Sequence, residues 1–368
     1  MLLADALVED LEADVKEMRG IEFTPIWFDS LGAKSMCTLV KTSDVSVIID
    51  PGVAVMQPRF PASLEQKLRW MYEAKSTIKA ACKDADLIVV SHYHHDHYMN
   101  FDEGIYDGKL VLAKDPNRYI NDSQRLRAEK LYGEFTEHLL GRRLEELERC
   151  RKAERFPDPM DSLPKARSMS YGEYTKRKTK LIEKGRKWFL KRVERWNSWK
   201  LIPELKSENC KVLFSDGRAY TFGGTKLRFS RPLFHGIEYA RVGWVIATTI
   251  VKGEEKLIHT SDLEGPVIED QAEWIIEENP DVLILDGPST YLIPYMLNLI
   301  NLRRAVKNLC RILEEAENLK LVIYDHHLLR DRRFKDRVRE VYQKALEVGV
   351  EVTTAAEYLG EEPAILRV

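Results

Sequence analysis

One short stretch decides most of what this chain can be. Leu87-Ile88-Val89-Val90-Ser91 is a continuous apolar run, and His92-Tyr93-His94-His95-Asp96-His97 follows it directly. A short run that apolar reads as a strand buried on both faces. Residues two apart point the same way in extended backbone, so His92 and His94 can grip one cation. Asp96 and His97 fall past the bend and can reach a second. Imidazole nitrogen together with carboxylate oxygen suits borderline cations such as zinc. The chain is therefore expected to build an α/β fold around a metal-binding loop at a strand end.

The remaining histidines strengthen that expectation. The chain has nine, and six of them fall in two tight groups, 92–97 and 326–327. Structural histidines are normally dispersed. His235 follows Arg231-Pro232-Leu233-Phe234, Asp262 follows Leu257-Ile258-His259-Thr260-Ser261, and His326 and His327 follow Leu321-Val322-Ile323-Tyr324-Asp325. Function collects where strands end and loops begin. Taken alone, an aspartate after a strand reads as a helix cap and a lone histidine as a core residue. In this order, together, they complete a site for two metals. No Gly-x-Ser-x-Gly and no Walker loop occurs, which argues against a serine nucleophile and nucleotide-driven chemistry. The five cysteines are scattered without a Cys-x-x-Cys, which argues against a disulfide framework and a zinc knuckle.

Strand-like runs are expected at 22–28, 37–41, 45–50 and 87–91, with helices over 2–18 and 63–83. From about 121 to 206 the sequence turns dense in Arg, Lys and Glu at helical spacing, split by Pro157, Pro159 and Pro164. That segment reads as a helical insertion. Strands resume at 211–214, 226–231, 243–251 and 255–259. Helices 267–278, 294–318 and 331–347 then alternate with strands 282–285, 321–324 and 350–353. The pattern predicts two sheets faced by helices. At 44% hydrophobic residues over 368, the chain can bury a large core and is too apolar for disorder. The N-terminus turns acidic at once, unlike a signal peptide, and no apolar run approaches the roughly 20 residues of a membrane helix. A cytoplasmic protein is expected. High charge with few glutamines leans toward a thermophilic source.

The formal charge of −2 hides a segregation. Residues 163–200 hold 13 Lys or Arg against 3 Glu, with Trp188, Trp196 and Trp199 interleaved. Basic residues with aromatics suit a phosphate backbone with stacked bases. A solvated helical hairpin whose tryptophans pack on the main domain, or on a second subunit of a homo-oligomer, is the other reading.

Ile48-Ile49-Asp50-Pro51-Gly52, His92-x-His94-x-Asp96-His97, His235, Asp262 and a terminal His resemble the metallo-β-lactamase-fold hydrolases. The resemblance covers nearly the whole chain except 121–206. Ser30–Met36 and Tyr324–Asp331 look like an archaeal branch of that superfamily. Asp281–Tyr291 is similar to a strand and turn of its tRNA 3′-processing nucleases. The resemblance implies one domain over 1–368, a four-layer αββα sandwich, with the basic helical insertion at 121–206. It implies His92, His94 and His235 on one metal and Asp96, His97 and either His326 or His327 on the other, with Asp262 bridging. His326 is favoured because Arg330 then falls four residues on, as in the nuclease pattern. Asp50 would orient the loop from behind. His95 would pack outside the metals, and His259 would face the core or stand behind the ligands. Two divalent ions are implied, with zinc the default and manganese, iron or nickel accepting the same ligands. Asp96 and Asp262 would then serve hydrolysis by a metal-bridging hydroxide. The substrate would be a phosphodiester, perhaps in RNA or DNA, or else a small ester, thioester, lactone or cyclic phosphodiester with the insertion as lid or dimer arm. Two departures bear on this. The Gly-rich first loop of the family is here Leu31-Gly32-Ala33-Lys34-Ser35, where Lys34 either presents a charge at the mouth of the site or is a solvated loop lysine. The flavodiiron form carries Glu in place of His94 and an attached flavodoxin domain, and neither is present.

Overall fold

The computed structural model describes residues 20–368, and the helix expected over 2–18 lies outside the described residues. The first sheet contains β1 (Glu22–Phe28), β2 (Met36–Lys41), β3 (Ser46–Ile49), β4 (Leu87–Val90), β5 (Leu110–Ala113), β6 (Leu205–Lys206) and β7 (Lys211–Phe214). Its order is β1-β2-β3-β4-β5-β7-β6, with β3, β4, β5 and β7 mutually parallel. β8 (Ala219–Phe222) and β9 (Thr225–Phe229) open the second sheet, and β10 (Leu233–Phe234) and β11 (Trp244–Val245) form a separate pair. β12 (Thr248–Lys252), β13 (Glu255–His259), β14 (Val282–Asp286), β15 (Leu321–Asp325) and β16 (Glu351–Thr353) complete it. The order there is β16-β15-β14-β13-β12-β9-β8, parallel from β13 to β16.

Alternation along the strands builds the layers, because successive side chains leave opposite faces. Val47, Ile49, Leu87 and Val89 meet Leu257, Val282, Ile284 and Ile323 between the sheets. Their neighbours Ile48, Ile88 and Val90 turn outward onto Ile78 and Cys82 of helix Leu64–Lys83. Leu283, Leu285 and Val322 likewise turn out onto Leu309, Ile312 and Leu313 of helix Leu299–Glu315. Both faces of the central strands are thus covered, which is why they read as unbroken apolar runs. The four-layer αββα sandwich expected from the resemblance is the architecture observed.

Between β5 and β6 the chain forms helices Asp122–Leu140, Pro164–Ser168 and Thr175–Ser198. Asn121 caps the first by accepting the Gln124 amide at 2.8 Å. Pro164 opens the second, where a missing N–H costs nothing.

Several boundaries differ from expectation. Residues 243–251 are two strands, because Ile246 N bonds to Ser91 O at 3.2 Å and the chain changes partners there. The helix expected from 294 begins at Leu299, capped by Asn298. The one expected over 331–347 is two, Phe334–Arg337 and Arg339–Val348. β5, β8 and the short β6 and β10 were not expected as strands. No helix of the described residues is long and apolar enough to cross a membrane.

Candidate metal centre

The parallel strands deliver the site. β4 ends before His92, β13 before Asp262 and β15 before His326. In open α/β sheets the crevice beyond the carboxyl ends of such strands is where ligands bind. Three residues at these strand ends adopt left-handed backbone: Asp50 at φ 55°, Ser261 at φ 54° and His326 at φ 59°. Side chains rarely accept that conformation without support, and here the support is a network of buried hydrogen bonds.

Two constellations form around one carboxylate. His92, His94, His235 and Asp262 have ligand atoms within 4.8 Å of one another, and so do Asp96, His97 and His326. Asp262 faces both. Its Oδ2 lies 2.9 Å from His235 Nε2 and 3.4 Å from His92 Nε2. Its Oδ1 lies 3.0 Å from His97 Nε2 and 3.4 Å from His326 Nε2. Burial alone would raise the Asp262 carboxyl, but His97, His326, His235 and His92 hold it well below the usual carboxylate range. Burial pushes His92 down to about 4, so its ring is neutral and ready to ligate at pH 7.

The fit to a cation can be tested on the polar atoms themselves. His97 Nε2, His235 Nε2 and Asp262 Oδ1 are buried with no hydrogen-bond partner, despite lying close together. Orphaned buried polar atoms are rare and costly, and each specific case calls for a partner. Histidine nitrogens and carboxylate oxygens converging on shared points are the donor set that divalent cations take. The residues present therefore fit a pair of such ions.

A ring of partners orients these groups. Asp50 Oδ2 stands 2.8 Å from His97 Nδ1, while Asp50 also accepts Ser91 N at 2.8 Å and Ser91 Oγ at 2.6 Å. Ser91 Oγ in turn lies 3.1 Å from His92 Nδ1 and 2.7 Å from Ser261 Oγ. Gln124 reaches the outer edge of His94 at 3.3 Å. Gly52 closes the loop from behind, since a Cβ there would stand 2.2 Å from the backbone nitrogens of His97 and Tyr98.

The terminal histidines part company. His326 Nδ1 sits 2.8 Å from Asp29 Oδ1, which turns Nε2 toward Asp262. His327 Nδ1 sits 3.0 Å from Asp286 Oδ1, and Asp286 also accepts the His327 amide at 3.1 Å. His327 also lies within ligand range of Asp262 and His326. His95 is outside both constellations, exposed and stacked on Tyr98 at 5.4 Å. His259 is buried in the core, with Nε2 3.0 Å from Met36 O.

The loop carrying His235 is clamped by the insertion. Trp188 stacks on Trp244 at 5.6 Å, and Gly185 packs so tightly on Tyr239 that a Cβ would stand 2.5 Å from its ring. Lys178 Nζ binds Glu238 Oε1 at 2.9 Å, and Arg304 bridges Glu238 and Glu269 at 2.6 and 2.7 Å. Trp196 is fully buried, and Trp199 lies under the Arg125 guanidinium. All three tryptophans of the insertion thus pack within the chain.

Comparison with known proteins matches this geometry to a family. A family model for the metallo-β-lactamase superfamily matches residues 32–119, which include the histidine loop. A UPF0282 protein of Methanopyrus kandleri is 32% identical over 93% of this chain and 95% of its own length. The chain belongs to the UPF0282 family of the metallo-β-lactamase superfamily. The UPF0282 protein of Korarchaeum cryptofilum is 34% identical, over 90% of this chain and 87% of that one. Among solved structures, an archaeal metallo-β-lactamase superfamily protein from Sulfolobus tokodaii aligns at 15% identity and TM-score 0.32, covering 90% of this chain and 97% of its own. CmlA, a diiron β-hydroxylase from Streptomyces venezuelae, aligns at 10% identity and TM-score 0.41, covering 95% of this chain and 57% of CmlA.

Asp29 and Asp286 are site residues of this UPF0282 chain that sequence reasoning missed. Both were findable in principle, because each stands at the carboxyl end of a strand, as Asp50 does.

Proposed function

We propose that this chain is a dinuclear metal-dependent hydrolase whose substrate is a phosphodiester. The observation that carries this reading is the Asp262 carboxylate, each oxygen of which faces a different group of histidines. His92, His94 and His235 would hold one ion, Asp96, His97 and His326 the other, with Asp262 between. When bound, such ions supply a water acidic enough to act as hydroxide near neutral pH. Zinc is the default for this donor set. Asp50 fixes the ring of His97 and Asp29 that of His326, so the ligands are held before any ion arrives. His327, gripped by Asp286, stands beside the cluster, and burial, Arg330 and His326 hold its ring neutral.

A phosphodiester is favoured over other esters by the charge on the insertion. Lys176, Lys180, Lys184, Lys187 and Lys191 are exposed on helix Thr175–Ser198 at spacings of three and four, one stripe on its outward face. None of them enters an ion pair among the described residues. Such a stripe suits the phosphate backbone of RNA or DNA. One observation favours the smaller substrates instead. Side-chain exposure at the cluster is only 15% for Asp96 and 11% for His327, a narrow opening that suits a small ester, thioester, lactone or cyclic phosphodiester.

The test is elemental analysis of the purified protein together with turnover of bis-p-nitrophenyl phosphate, a thioester, a lactone and single-stranded RNA. About two metal ions per chain and hydrolysis of a phosphodiester are expected. A protein that stays metal-free after reconstitution would end this reading.

A further inference from the structure

Beside Asp96 the structure gathers hydrogen-bond donors that the ligand set does not use. Arg330 is buried at 7% exposure, and its Nε is committed to Asp29 Oδ2 at 2.5 Å. NH1 donates to Tyr291 Oη at 3.2 Å, which leaves the tyrosine hydroxyl proton free to donate onward. NH2 has only loose contacts, 3.5 Å from both Asp96 Oδ2 and His326 Nε2. An imidazole nitrogen that ligates a cation has no lone pair left to accept, so NH2 keeps donor capacity at the edge of the cluster.

Lys34 joins this group through the loop between β1 and β2. Its backbone pairs with Ala54 in both directions at 2.9 Å. Its neighbour Ser35 donates its amide to Asp29 Oδ1 at 3.0 Å and lends its carbonyl to His326 Nδ1 at 3.1 Å. The loop is thereby wrapped around the same Asp29–His326–Arg330 corner. The Lys34 side chain is half-buried and enters no ion pair or hydrogen bond among the described residues. Burial and then Arg330 lower its ammonium, with Asp96 and Asp29 opposing them. Bringing two cations within electrostatic reach of each other in a partly desolvated place is unfavourable unless anions offset it.

We infer that Lys34, Arg330 and Tyr291 form an oxyanion subsite at the Asp96 edge of the metal centre, which takes the non-bridging oxygens of a substrate phosphoryl group. A tetrahedral phosphoryl offers several acceptor oxygens to donors arriving from different directions, and its charge answers two cations better than a lone carboxylate does. The inference rests on the hydrolase reading and names the substrate chemistry of that same site. Lys34 would touch the substrate oxygens directly, from a loop held by its backbone pairing with Ala54 and by the Ser35–Asp29 bond.

The experiment is calorimetric titration of orthophosphate, and separately of acetate, into the metal-loaded protein, with metal content measured on each sample. Lys34→Met is expected to weaken phosphate about tenfold or more, as loss of a charge-assisted hydrogen bond does. Lys34→Arg should stay within about threefold of wild type, since it keeps the charge. Tyr291→Phe, which leaves the Arg330–Asp29 pair in place, should lose a smaller factor. Metal content should be unchanged in all three. Phosphate affinity in Lys34→Met equal to wild type overturns the inference, as does acetate binding as tightly as phosphate. A wild-type protein without metal overturns the hydrolase reading instead, and the effect of Lys34→Met on phosphate binding to that same protein still decides the subsite.

Discussion

His326 and Asp29 stand 2.8 Å apart, Nδ1 to Oδ1, both without exposure to solvent and 297 residues apart in sequence. That contact gives the two adjacent histidines different surroundings. Asp29 fixes the His326 ring so that Nε2 faces Asp262, whereas His327 is tied back to Asp286. His326→Ala should lose about one metal ion per chain by elemental analysis. His327→Ala should keep both, because its ring is tied back to Asp286. Equal metal content in the two variants, or loss of metal in His327→Ala alone, would reverse the assignment.

Asp50 offers a second test of how the ligands are held. Its carboxylate accepts from Ser91 and faces His97, and burial is outweighed by His97 in keeping the group ionised. Asp50→Asn keeps the shape and removes the charge that orients the ring. Metal affinity, read by competition with a chelator, should fall about 10- to 100-fold. The secondary structure seen by circular dichroism should not change. Affinity within twofold of wild type would mean that His97 is oriented by its other neighbours.

Much of this centre was legible because its chemistry sits at the ends of strands. The run Leu87–Val90 and the histidines after it gave the strand, the loop and the ligand types together. What the sequence could not show were pairings across the fold. Asp29 meets His326 only because β1 and β15 end at the same corner, and no local pattern encodes that. The different surroundings of His326 and His327 go with a left-handed backbone at His326, which two adjacent identical residues conceal. β5 does not stand out in the sequence although Leu110-Val111-Leu112-Ala113 is as apolar as β4, since a four-residue run is too short to be distinctive without its neighbours. The tryptophans of the insertion were ambiguous for another reason. Interleaving with lysine is the same whether an aromatic faces a base or, as with Trp188, another tryptophan.

The clamp on the His235 loop yields a stability prediction with a sign. Burial raises the Glu238 carboxyl, but Arg304 and Lys178 more than offset it and bring the group from 4.5 down to about 2. A depressed carboxylate contributes stability that is present in full above the unfolded value and is lost as pH falls from about 4.5 toward 2. Glu238→Gln leaves two buried cations short of a partner, at a cost of about 3 kcal/mol near neutral pH. Thermal melts should show the variant melting several degrees lower at pH 7, with the gap narrowing as pH is taken down to about 3. A gap independent of pH would place the effect in packing rather than in charge.

The lysine stripe separates the polymer from the small substrate. Lys176 to Lys191 spans about 22 Å of helix at 1.5 Å per residue, with all five lysines of the stripe on the face away from the core. If that face binds nucleic acid, each lysine that neutralises a phosphate releases a counterion. The log of affinity then falls with log salt at about −0.9 per phosphate on duplex or −0.7 on a single strand. Three to five engaged phosphates would give a slope of roughly −2 to −4.5. Glu at Lys180, Lys184, Lys187 and Lys191 together should abolish binding. The fold should survive, because the buried face of this helix is made by Lys178, Phe189 and Trp196. Arg195 is a poorer choice for reversal, since it already pairs with Asp122 at 3.3 Å. If the helix is instead a contact between copies of this chain, the same substitutions should shift the sedimentation profile. No affinity for RNA or DNA even at about 20 mM salt, where surface electrostatics are exaggerated, would remove the polymer and leave a small phosphodiester or ester as the substrate.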